Sequence, residues 1–317
     1  MNKGFIIKLI GGLYTLIDIK TNKVYEGKAR GKLRALRLDE KSSFNKNVTS
    51  KNKKDIKIMQ ISPRVGDYCI FAILDNGSIM IDEILERKNE LKRPDVCNID
   101  QVLLLFSAKD PDFSFTLLDK FLVILESNNL DIKIIISKID LLSEKELEEL
   151  KEQLKYYQNY YEVYFVNSLD FKTKNPVSDL LKNKLSVLAG QTGVGKSTLM
   201  NNLVPDLKLR TQEISKALGR GKHTTRHSQL YLVCGGYIAD TPGFSKIEFD
   251  FFVPKIVKDS FIDFKELKNE CKFNGCNHLD EPECMIKTKV KDDTIPKTRY
   301  DNYRSFYLEV KNKKQKY

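Results

Sequence analysis

The chain has 317 residues, 41% of them hydrophobic, and its 54 Lys and Arg against 43 Asp and Glu give a formal net charge of +11. This length suggests about two domains and allows a sizeable core. No apolar stretch approaches the ~20 residues that span a bilayer, and Lys8 interrupts the apolar run near the start, with no small-residue cleavage site after it. These features exclude a membrane-spanning protein and predict an unprocessed cytoplasmic protein with no membrane partner.

The excess of basic residues indicates a polyanionic partner, and nucleic acid is the commonest polyanion in the cytosol. A biased genomic composition, rich in Lys, Asn and Ile, would give the same charge without any such partner. Charge alone therefore favours nucleic acid only modestly.

The first ~90 residues are predicted to form five or so short strands separated by turns. FIIKLIGGLYTLIDI has Gly11-Gly12 at its centre, and Asp75-Asn76-Gly77 precedes the last strand. The absence of a helical period predicts a small β-barrel of the OB-fold kind. Within it, the lysine-rich stretch SSFNKNVTSKNKKD is expected to be a loop, either simply solvated or a nucleic-acid-binding finger.

After the predicted linker KNELKRPDV, strand and helix signals alternate. VLLLF, DIKIIIS, EVYFVNS and KLSVLAG are predicted strands, and a helix begins at the capping box of Ser143 and Glu146. This alternation is typical of a parallel α/β sheet covered on both faces. LYLVCGGYIAD adds two predicted strands around Gly235-Gly236, expected as an antiparallel pair at the sheet edge. From about Phe251 the pattern becomes helical and irregular.

A phosphate-binding loop is predicted where GQTGVGKS matches G-x-x-x-x-G-K-[ST] in full, between a predicted strand and a helical segment. Glycines let backbone N–H groups surround the phosphates, while Lys196 reaches the β- and γ-phosphates and the Ser197 hydroxyl ligates Mg²⁺. The alternative, a glycine-rich turn with a solvated lysine, fits this context poorly. The predicted nucleotide contacts are Gly190, Gln191, Thr192, Gly193, Val194, Gly195, Lys196, Ser197 and Thr198.

Asp240-Thr-Pro-Gly243 follows a predicted strand downstream of this loop. Asp240 is expected to hold Mg²⁺ through water, and the Gly243 N–H to sense the γ-phosphate. D-T-P-G alone would also fit an ordinary turn. Its position after a phosphate loop in the same sheet favours the nucleotide role.

A guanine-reading motif is predicted at Ser137-Lys138-Ile139-Asp140, at the end of a buried strand. Ligands of α/β folds bind at this edge of the sheet, and a carboxylate there can accept hydrogen bonds from guanine N1–H and N2–H₂. Lys138 is expected to lie along the base, and Asn167-Ser168, after the next strand, to close over it. A solvated strand end would give the same four residues in isolation.

This motif precedes the phosphate loop, whereas in most GTPases it follows it, so the order indicates a circular permutation. Chain termini often lie close together, and joining them while opening new ends can leave a packed sheet intact.

A metal site is predicted from the cluster Cys271-x4-Cys276-x-His278-x5-Cys284. Three thiolates and one imidazole form a complete tetrahedral set for structural Zn²⁺, which leaves no open position for catalysis. The alternative is free thiols in a polar loop. The remaining cysteines, Cys69, Cys97 and Cys234, are expected to be small apolar core residues.

The ordered set of motifs resembles the circularly permuted, ribosome small-subunit-dependent GTPases called RsgA or YjeQ. The resemblance covers essentially the whole chain and rests on RGKLR, RPDVCNIDQVLLLFSAKDP, SKIDL, GQTGVGKST, GRGKHTTRH, DTPGF and the Cys/His cluster. It implies a multi-domain α/β protein with an OB-fold RNA-binding barrel at 1–88, a permuted G domain at 89–249 and a mostly helical zinc-binding domain with a basic tail at 250–317.

The same resemblance implies a cytoplasmic GTPase that binds GTP and GDP and, late in small-subunit maturation, the 30S ribosomal subunit and its 16S rRNA. We expect a monomer that binds Mg²⁺ with GTP and one structural Zn²⁺. One residue departs from the family pattern, because Ser137 stands where the family has Asn. A serine cannot reach both the base and the phosphate loop as Asn does, so Asp140 is the stronger candidate for guanine specificity.

Hydrolysis is expected to use Lys196 and a histidine. Ras-like enzymes place a water-orienting glutamine after DTPG, where this chain has the apolar Phe244. His223 in GRGKHTTRH is the best local candidate to orient or deprotonate water, and the family has a histidine there. A histidine that contacts rRNA or solvent is the alternative. Thr224 or Thr225 is expected to complete the Mg²⁺ coordination. We therefore predict slow turnover alone and faster turnover with 30S subunits.

Three functions fit the sequence. The leading one is a GTP hydrolase whose hydrolysis is stimulated by the ribosome during late small-subunit maturation. The second is a nucleotide-regulated RNA-binding assembly factor in which hydrolysis is incidental. The third is a P-loop ATPase or a small-molecule kinase.

Overall fold

The computed structural model describes residues 1–31, 33, 62–91, 95–167, 176–203, 227–239, 249 and 252–313. Within them the chain divides into two units, the first comprising Met1–Gln101, Pro176–Leu188 and Met200–Gly243, and the second Val102–Asn175, Ala189–Leu199 and Phe244–Tyr317. No helix among the described residues is long and apolar enough to cross a bilayer. The domain limits inferred from the sequence, at residues 88 and 249, stay a prediction.

In the first unit, five strands close into a barrel, which confirms the predicted N-terminal fold. They are β1 Asn2–Ile10, β2 Leu13–Asp18, β3 Val24–Ala29, β4 Tyr68–Ile73 and β5 Ile79–Ile84. β1 pairs antiparallel with β2 and β4, β2 with β3, and β4 with β5, while β3 and β5 run parallel. The predicted lysine-rich loop lies outside the described residues.

Sequence patterning explains how the barrel closes. Ile6, Leu16 and Phe71 are buried in its core, as alternation along a strand requires. The turn between β1 and β2 uses Gly11 and Gly12 at φ values of +55° and +83°, which glycine adopts without strain.

A buried ion pair holds the segment that follows the barrel. Arg87 Nε and Nη2 donate to the two carboxylate oxygens of Asp67 at 2.7 and 2.8 Å, and Asp67 is fully buried. Two short strands follow, β6 Glu90–Leu91 and β7 Val96–Cys97. Because β6 and the first residue of β7 fall within the predicted linker, that linker includes regular structure. Cys97 is buried with its Sγ 3.0 Å from Asp67 Oδ1.

The first unit also contains α3 Pro176–Leu181, β11 Leu185–Ala189, β12 His227–Val233 and β13 Gly236–Ala239. β11 and β13 run parallel, and β12 and β13 form the predicted antiparallel pair. The expectation that this pair lies at a sheet edge is wrong, because β12 also pairs with β1, with Lys8 opposite Gln229. Cys69 and Cys97 are buried as predicted, but Cys234 is exposed in the β12–β13 turn.

In the second unit, three parallel strands are flanked by helices, as the alternating pattern predicted. The elements are β8 Gln101–Ser107, α1 Phe115–Glu126, β9 Ile132–Ser137, α2 Glu144–Gln158 and β10 Glu162–Phe165. Helix α4 Lys196–Leu203 begins in this unit, and its residues from Met200 onward are assigned to the first. β9 pairs with both β8 and β10, and every residue of β8 and β9 is buried. α2 begins at the predicted capping box, with the Ser143 and Glu146 side chains each bonded to the other's backbone N–H.

The C-terminal part of the second unit is mostly helical, as predicted. Its helices are α5 Pro254–Ser260, α6 Ile262–Leu267, α7 Met285–Lys291 and α8 Lys297–Asn312. An aromatic core that includes Phe249, Phe261, Phe264, Tyr303 and Phe306 holds them together.

One buried cation joins this helical region to α1. Arg299 on α8 donates to Asp119 on α1 at 2.5 Å and to Asp263 on α6 at 2.8 and 3.1 Å, and all three side chains are at most 2% exposed. Asn302 Nδ2 also donates to Asp119, at 2.7 Å. Charged groups this deeply buried are tolerated only when paired and hydrogen-bonded, so α1, α6 and α8 are fixed together.

Candidate nucleotide and metal sites

The predicted phosphate loop connects the end of β11 to the start of α4. Gly190, Gly193 and Gly195 have φ values of +135°, +88° and +93°, a backbone region that residues with side chains rarely adopt. At Gly190 there is also no room for a side chain, because a Cβ would lie 2.1 Å from the carbonyl oxygen of Leu105. The glycines of the motif are thus required by the backbone path, as the sequence predicted.

Lys196 lies over this loop. Its Nζ donates to the carbonyl oxygens of Gly190 and Gln191, both at 2.6 Å. Burial lowers the pKa of Lys196 to about 8, so the ammonium form predominates at neutral pH. The side chain therefore keeps a cation directly above the loop's backbone.

The side chain of Ser137 links the predicted guanine motif to the phosphate loop. Ser137 ends β9 and is 1% exposed, and its Oγ lies 2.7 Å from the Val194 carbonyl oxygen and 3.1 Å from that of Phe106. Val194 is in the phosphate loop, 57 residues further along the chain. The two motifs are therefore in direct contact within the second unit.

The residues after Ser137 turn away from the strand. Lys138 has a φ of +58°, and its Nζ donates to the carbonyl oxygen of Asp110. Ile139–Leu141 form a single turn of 3₁₀ helix in which Asp140 is exposed. The carboxylate is accordingly available to a ligand.

Asn167 comes just after β10, the strand that pairs with β9. The backbone N–H of Val166 donates to the Ile136 carbonyl at 2.8 Å, which continues the β9–β10 ladder beyond β10. Asn167, the next residue, therefore follows the same sheet edge as Ser137. The role of Asn167 in closing over a base stays a prediction.

The remaining predicted nucleotide residues lie outside the described part of the chain. They are Ser168, His223, Thr224, Thr225, Asp240 and Gly243. Their predicted roles, and that of Phe244, stay predictions.

The predicted metal ligands converge. One ligand atom from each of Cys271, Cys276, His278 and Cys284 lies within 4.8 Å of the others, and all four residues are buried. His278 Nδ1 is 3.4 Å from Cys284 Sγ and 3.6 Å from Cys271 Sγ. Ligands around a tetrahedral Zn²⁺, with bonds of ~2.0 Å to nitrogen and ~2.3 Å to sulfur, would have N···S separations of about 3.5 Å. The donor set therefore fits zinc in identity, and the two distances from His278 to cysteine sulfurs fit its geometry.

The surroundings of the cluster keep the histidine neutral and in place. Burial lowers the pKa of His278 to about 4, so its ring can offer a lone pair to a metal at neutral pH. From α8, the Tyr300 hydroxyl donates to the His278 carbonyl at 2.9 Å, and the Tyr303 hydroxyl to the Asn277 carbonyl at 2.7 Å. α8 thus supports the loop that carries the ligands.

Comparison with known proteins identifies the family. The model of the RsgA GTPase family matches residues 84–250, more than half of the chain. The chain belongs to the RsgA GTPase family. It is 44% identical to the small ribosomal subunit biogenesis GTPase RsgA of Onion yellows phytoplasma, covering 98% of this chain and 99% of the relative. It is 40% identical to the protein of the same name in Bacillus subtilis, over the full length of both.

Solved structures agree with this RsgA assignment and with the permuted fold. The crystal structure of YloQ, a circularly permuted GTPase, has a TM-score of 0.78 and 35% identity to this chain, covering 99% of this chain and 96% of that one. YjeQ from Thermotoga maritima has a TM-score of 0.80 and 32% identity, covering 99% of both chains. The permuted chain order inferred from the motifs is therefore confirmed.

Within this RsgA GTPase, one contributor to the site was not predicted as such. The loop at 107–113 accepts the Lys138 side chain through the Asp110 carbonyl, and the Ala108 N–H donates to the Ser137 carbonyl at 2.9 Å. Pro111 also lies beside the phosphate loop, since its Cδ would be 3.4 Å from a Cβ at Gly193. The sequence offered only the stretch SAKDP as a signal, and no residue type in it indicates a nucleotide contact.

Proposed function

We propose that this RsgA-family GTPase hydrolyses GTP to GDP and phosphate and acts in biogenesis of the small ribosomal subunit. The observation that carries the proposal is the contact of Ser137 with Val194, since it brings the guanine motif and the phosphate loop to one place. Family membership supports the reaction, and the names of the curated relatives support the ribosomal role.

In the proposed complex, the backbone N–H groups of residues 190–198 bind the phosphates and Lys196 neutralises the β- and γ-phosphates. The exposed carboxylate of Asp140 accepts from guanine N1–H and N2–H₂, and Asn167 with Ser168 closes over the base. Ile139 and Lys138 shape the pocket through the turn they form.

Magnesium would be held by Ser197 and by Thr224 or Thr225, with Asp240 acting through water and Gly243 sensing the γ-phosphate. The ion supplies charge neutralisation between the phosphates. We propose His223 to orient the attacking water, because Phe244 has no group that can do so.

Nucleic acid is the proposed macromolecular partner outside the nucleotide site. The net charge of +11 suits 16S rRNA within the 30S subunit, and binding through phosphates would weaken as salt rises. The Cys271, Cys276, His278 and Cys284 set would hold one structural Zn²⁺.

The test is nucleotide binding and turnover with GTP and ATP, each with and without purified 30S subunits. We expect binding of GTP only, slow turnover alone and faster turnover with subunits. Equal rates with and without 30S would contradict the ribosomal stimulation, and equal use of ATP would favour a P-loop ATPase or kinase.

The base-reading role of Asp140 is tested by Asp140→Asn. Xanthine has a carbonyl oxygen where guanine has its N2 amine, and the Asn amide can donate a hydrogen bond to that oxygen. We therefore expect the ratio of affinities for guanine and xanthine nucleotides to shift toward xanthine by on the order of tenfold or more. Asp75→Asn makes the same charge change at an exposed position in the barrel, away from the residues of the nucleotide site, and should leave the ratio unchanged. An unaltered preference in Asp140→Asn would remove Asp140 from base recognition.

A second function is an RNA-binding factor in which hydrolysis is incidental. It is favoured by the absence of a water-orienting glutamine after DTPG. A His223→Ala variant that still binds GTP separates the two. Retention on the 30S subunit is expected if hydrolysis drives release, whereas normal release would favour the second function.

A further inference from the structure

The hydroxyl of Ser137 is enclosed by main-chain acceptors. The residue is 1% exposed, and the two groups nearest its Oγ are the carbonyl oxygens of Val194 at 2.7 Å and Phe106 at 3.1 Å. A serine hydroxyl has one hydrogen to donate. Because both neighbours are acceptors, that hydrogen is used within the protein, and the shorter distance assigns it to Val194.

The first residue of a guanine-reading motif, here Ser137, would face the edge of guanine that carries hydrogen-bond acceptors. N7 and O6 both require a donor from the protein. An asparagine at this position carries two amide hydrogens on a longer side chain, so it can serve the phosphate loop and the base together. Ser137 has neither the second hydrogen nor the reach.

We propose that Ser137 is a positioning residue that fixes the phosphate loop to β9, and that this chain recognises guanine without a hydrogen bond to N7. Base specificity then comes from the other edge of guanine, through Asp140. We do not assign Lys138 to N7, because the structure directs its Nζ to the Asp110 carbonyl. This inference rests on the proposed GTP binding.

The decisive experiment compares three diphosphates on the wild-type full-length chain with Mg²⁺: GDP, 7-deaza-GDP, which lacks the N7 acceptor, and inosine diphosphate, which lacks the N2 amine. We expect 7-deaza-GDP to bind within about twofold of GDP, since no hydrogen bond is lost. Inosine diphosphate should bind about tenfold or more weakly, because a hydrogen bond to the Asp140 carboxylate is lost.

A loss of about fivefold or more with 7-deaza-GDP would overturn the inference, since it would reveal a donor to N7. The proposed function fails differently, because in that case GDP itself would not bind. The two failures are therefore distinguishable in one titration series, and neither depends on a variant.

Variants at position 137 test the positioning role. Ser137→Ala removes the tie to Val194 and should weaken all three diphosphates by the same factor, about two- to tenfold, because the phosphate loop and not the base is affected. A change in the ratio between GDP and either analogue would contradict a purely positioning role. Ser137→Thr keeps the hydroxyl and should restore wild-type affinities.

The substitution Ser137→Asn should introduce the hydrogen-bond donor to guanine N7 that we infer to be missing. We expect GDP to bind more tightly and 7-deaza-GDP to become several-fold weaker than GDP. A folded Asn variant that shows no such penalty would contradict the claim that a donor is missing at this position. Should the larger side chain prevent folding, the wild-type comparison decides the question alone.

Discussion

The described residues of the nucleotide site and the metal cluster both lie in the second unit, but the two sites are built in opposite ways. The nucleotide site is mainly backbone, with glycines at positive φ and main-chain carbonyls that receive Lys196 and Ser137. Its proposed ligand-binding side chains are exposed, like Asp140, or half-buried, like Lys196. The metal cluster consists of four buried side chains.

This difference indicates what each site needs in order to fold. In the nucleotide site, the Lys196 and Ser137 side chains are already hydrogen-bonded to main-chain carbonyls without a ligand. In the metal cluster, three sulfurs and one imidazole are packed together out of water, and burial raises the pKa of Cys276 to about 12. A cation that neutralises thiolates would relieve this, so metal binding there is expected to be part of folding.

The largest expected effect comes from removing a metal ligand. Cys276→Ser should lose stoichiometric zinc and destabilise the helical region at 252–313 by about 4–5 kcal/mol, at the upper end for single substitutions. Metal analysis and hydrogen exchange in α7 and α8 measure both effects.

Cys234→Ser is the matched control, because Cys234 is exposed and lies outside the cluster. It should retain zinc and wild-type exchange rates. If the Cys276 variant kept full protection of α7 and α8, the contrast between the two sites would not hold.

A second change asks whether the helical region depends on the metal alone. Arg299→Ala leaves Asp119 and Asp263 buried without their cation, and breaking such a pair costs about 3–5 kcal/mol. We expect a lower thermal unfolding temperature with zinc still bound. Arg304→Ala, at an exposed position on the same helix, should have little effect. Loss of zinc from the Arg299 variant would show instead that both features act as one.

The smallest effect concerns the nucleotide site. With a pKa of about 8, Lys196 is about half deprotonated at pH 8, and bound phosphates would restore its proton. Nucleotide binding should therefore take up about half a proton at pH 8, far less at pH 7, and weaken as pH rises past 8. Calorimetry in two buffers of different ionisation enthalpy measures this uptake. Uptake that does not change between pH 7 and 8 would exclude Lys196 as its source.

Much of the fold was predictable because its signals are local. Strand and helix periodicity, the Ser143–Glu146 capping box and the phosphate-loop pattern each lie within a few residues. The structure confirms the strands, the helices and the capping box, and it shows the loop's glycines at positive φ. The four predicted metal ligands also lie within one short stretch, and their convergence was expected from the residue types together with the family resemblance.

What escaped prediction depends on contacts between distant residues. No residue near Ser137 in the sequence indicates that its hydroxyl donates to the Val194 carbonyl. The pairing of β1 with β12 likewise brings together strands that are far apart in the sequence. Arg299 and Asp119 are 180 residues apart. The one available signal was Asp119 itself, an acid among the apolar residues of FTLLDKFLVILE.

The pairing of β1 with β12 has a practical consequence for dissecting the molecule. A fragment that begins after residue 88 lacks β1, and the side of β12 that faces Lys8, Leu9 and Ile10 would lose its hydrogen-bonding partner. Unpaired strand edges recruit other chains, so such a fragment should be prone to self-association in vitro. A fragment designed to contain the G domain should therefore retain β1, the first strand of the barrel.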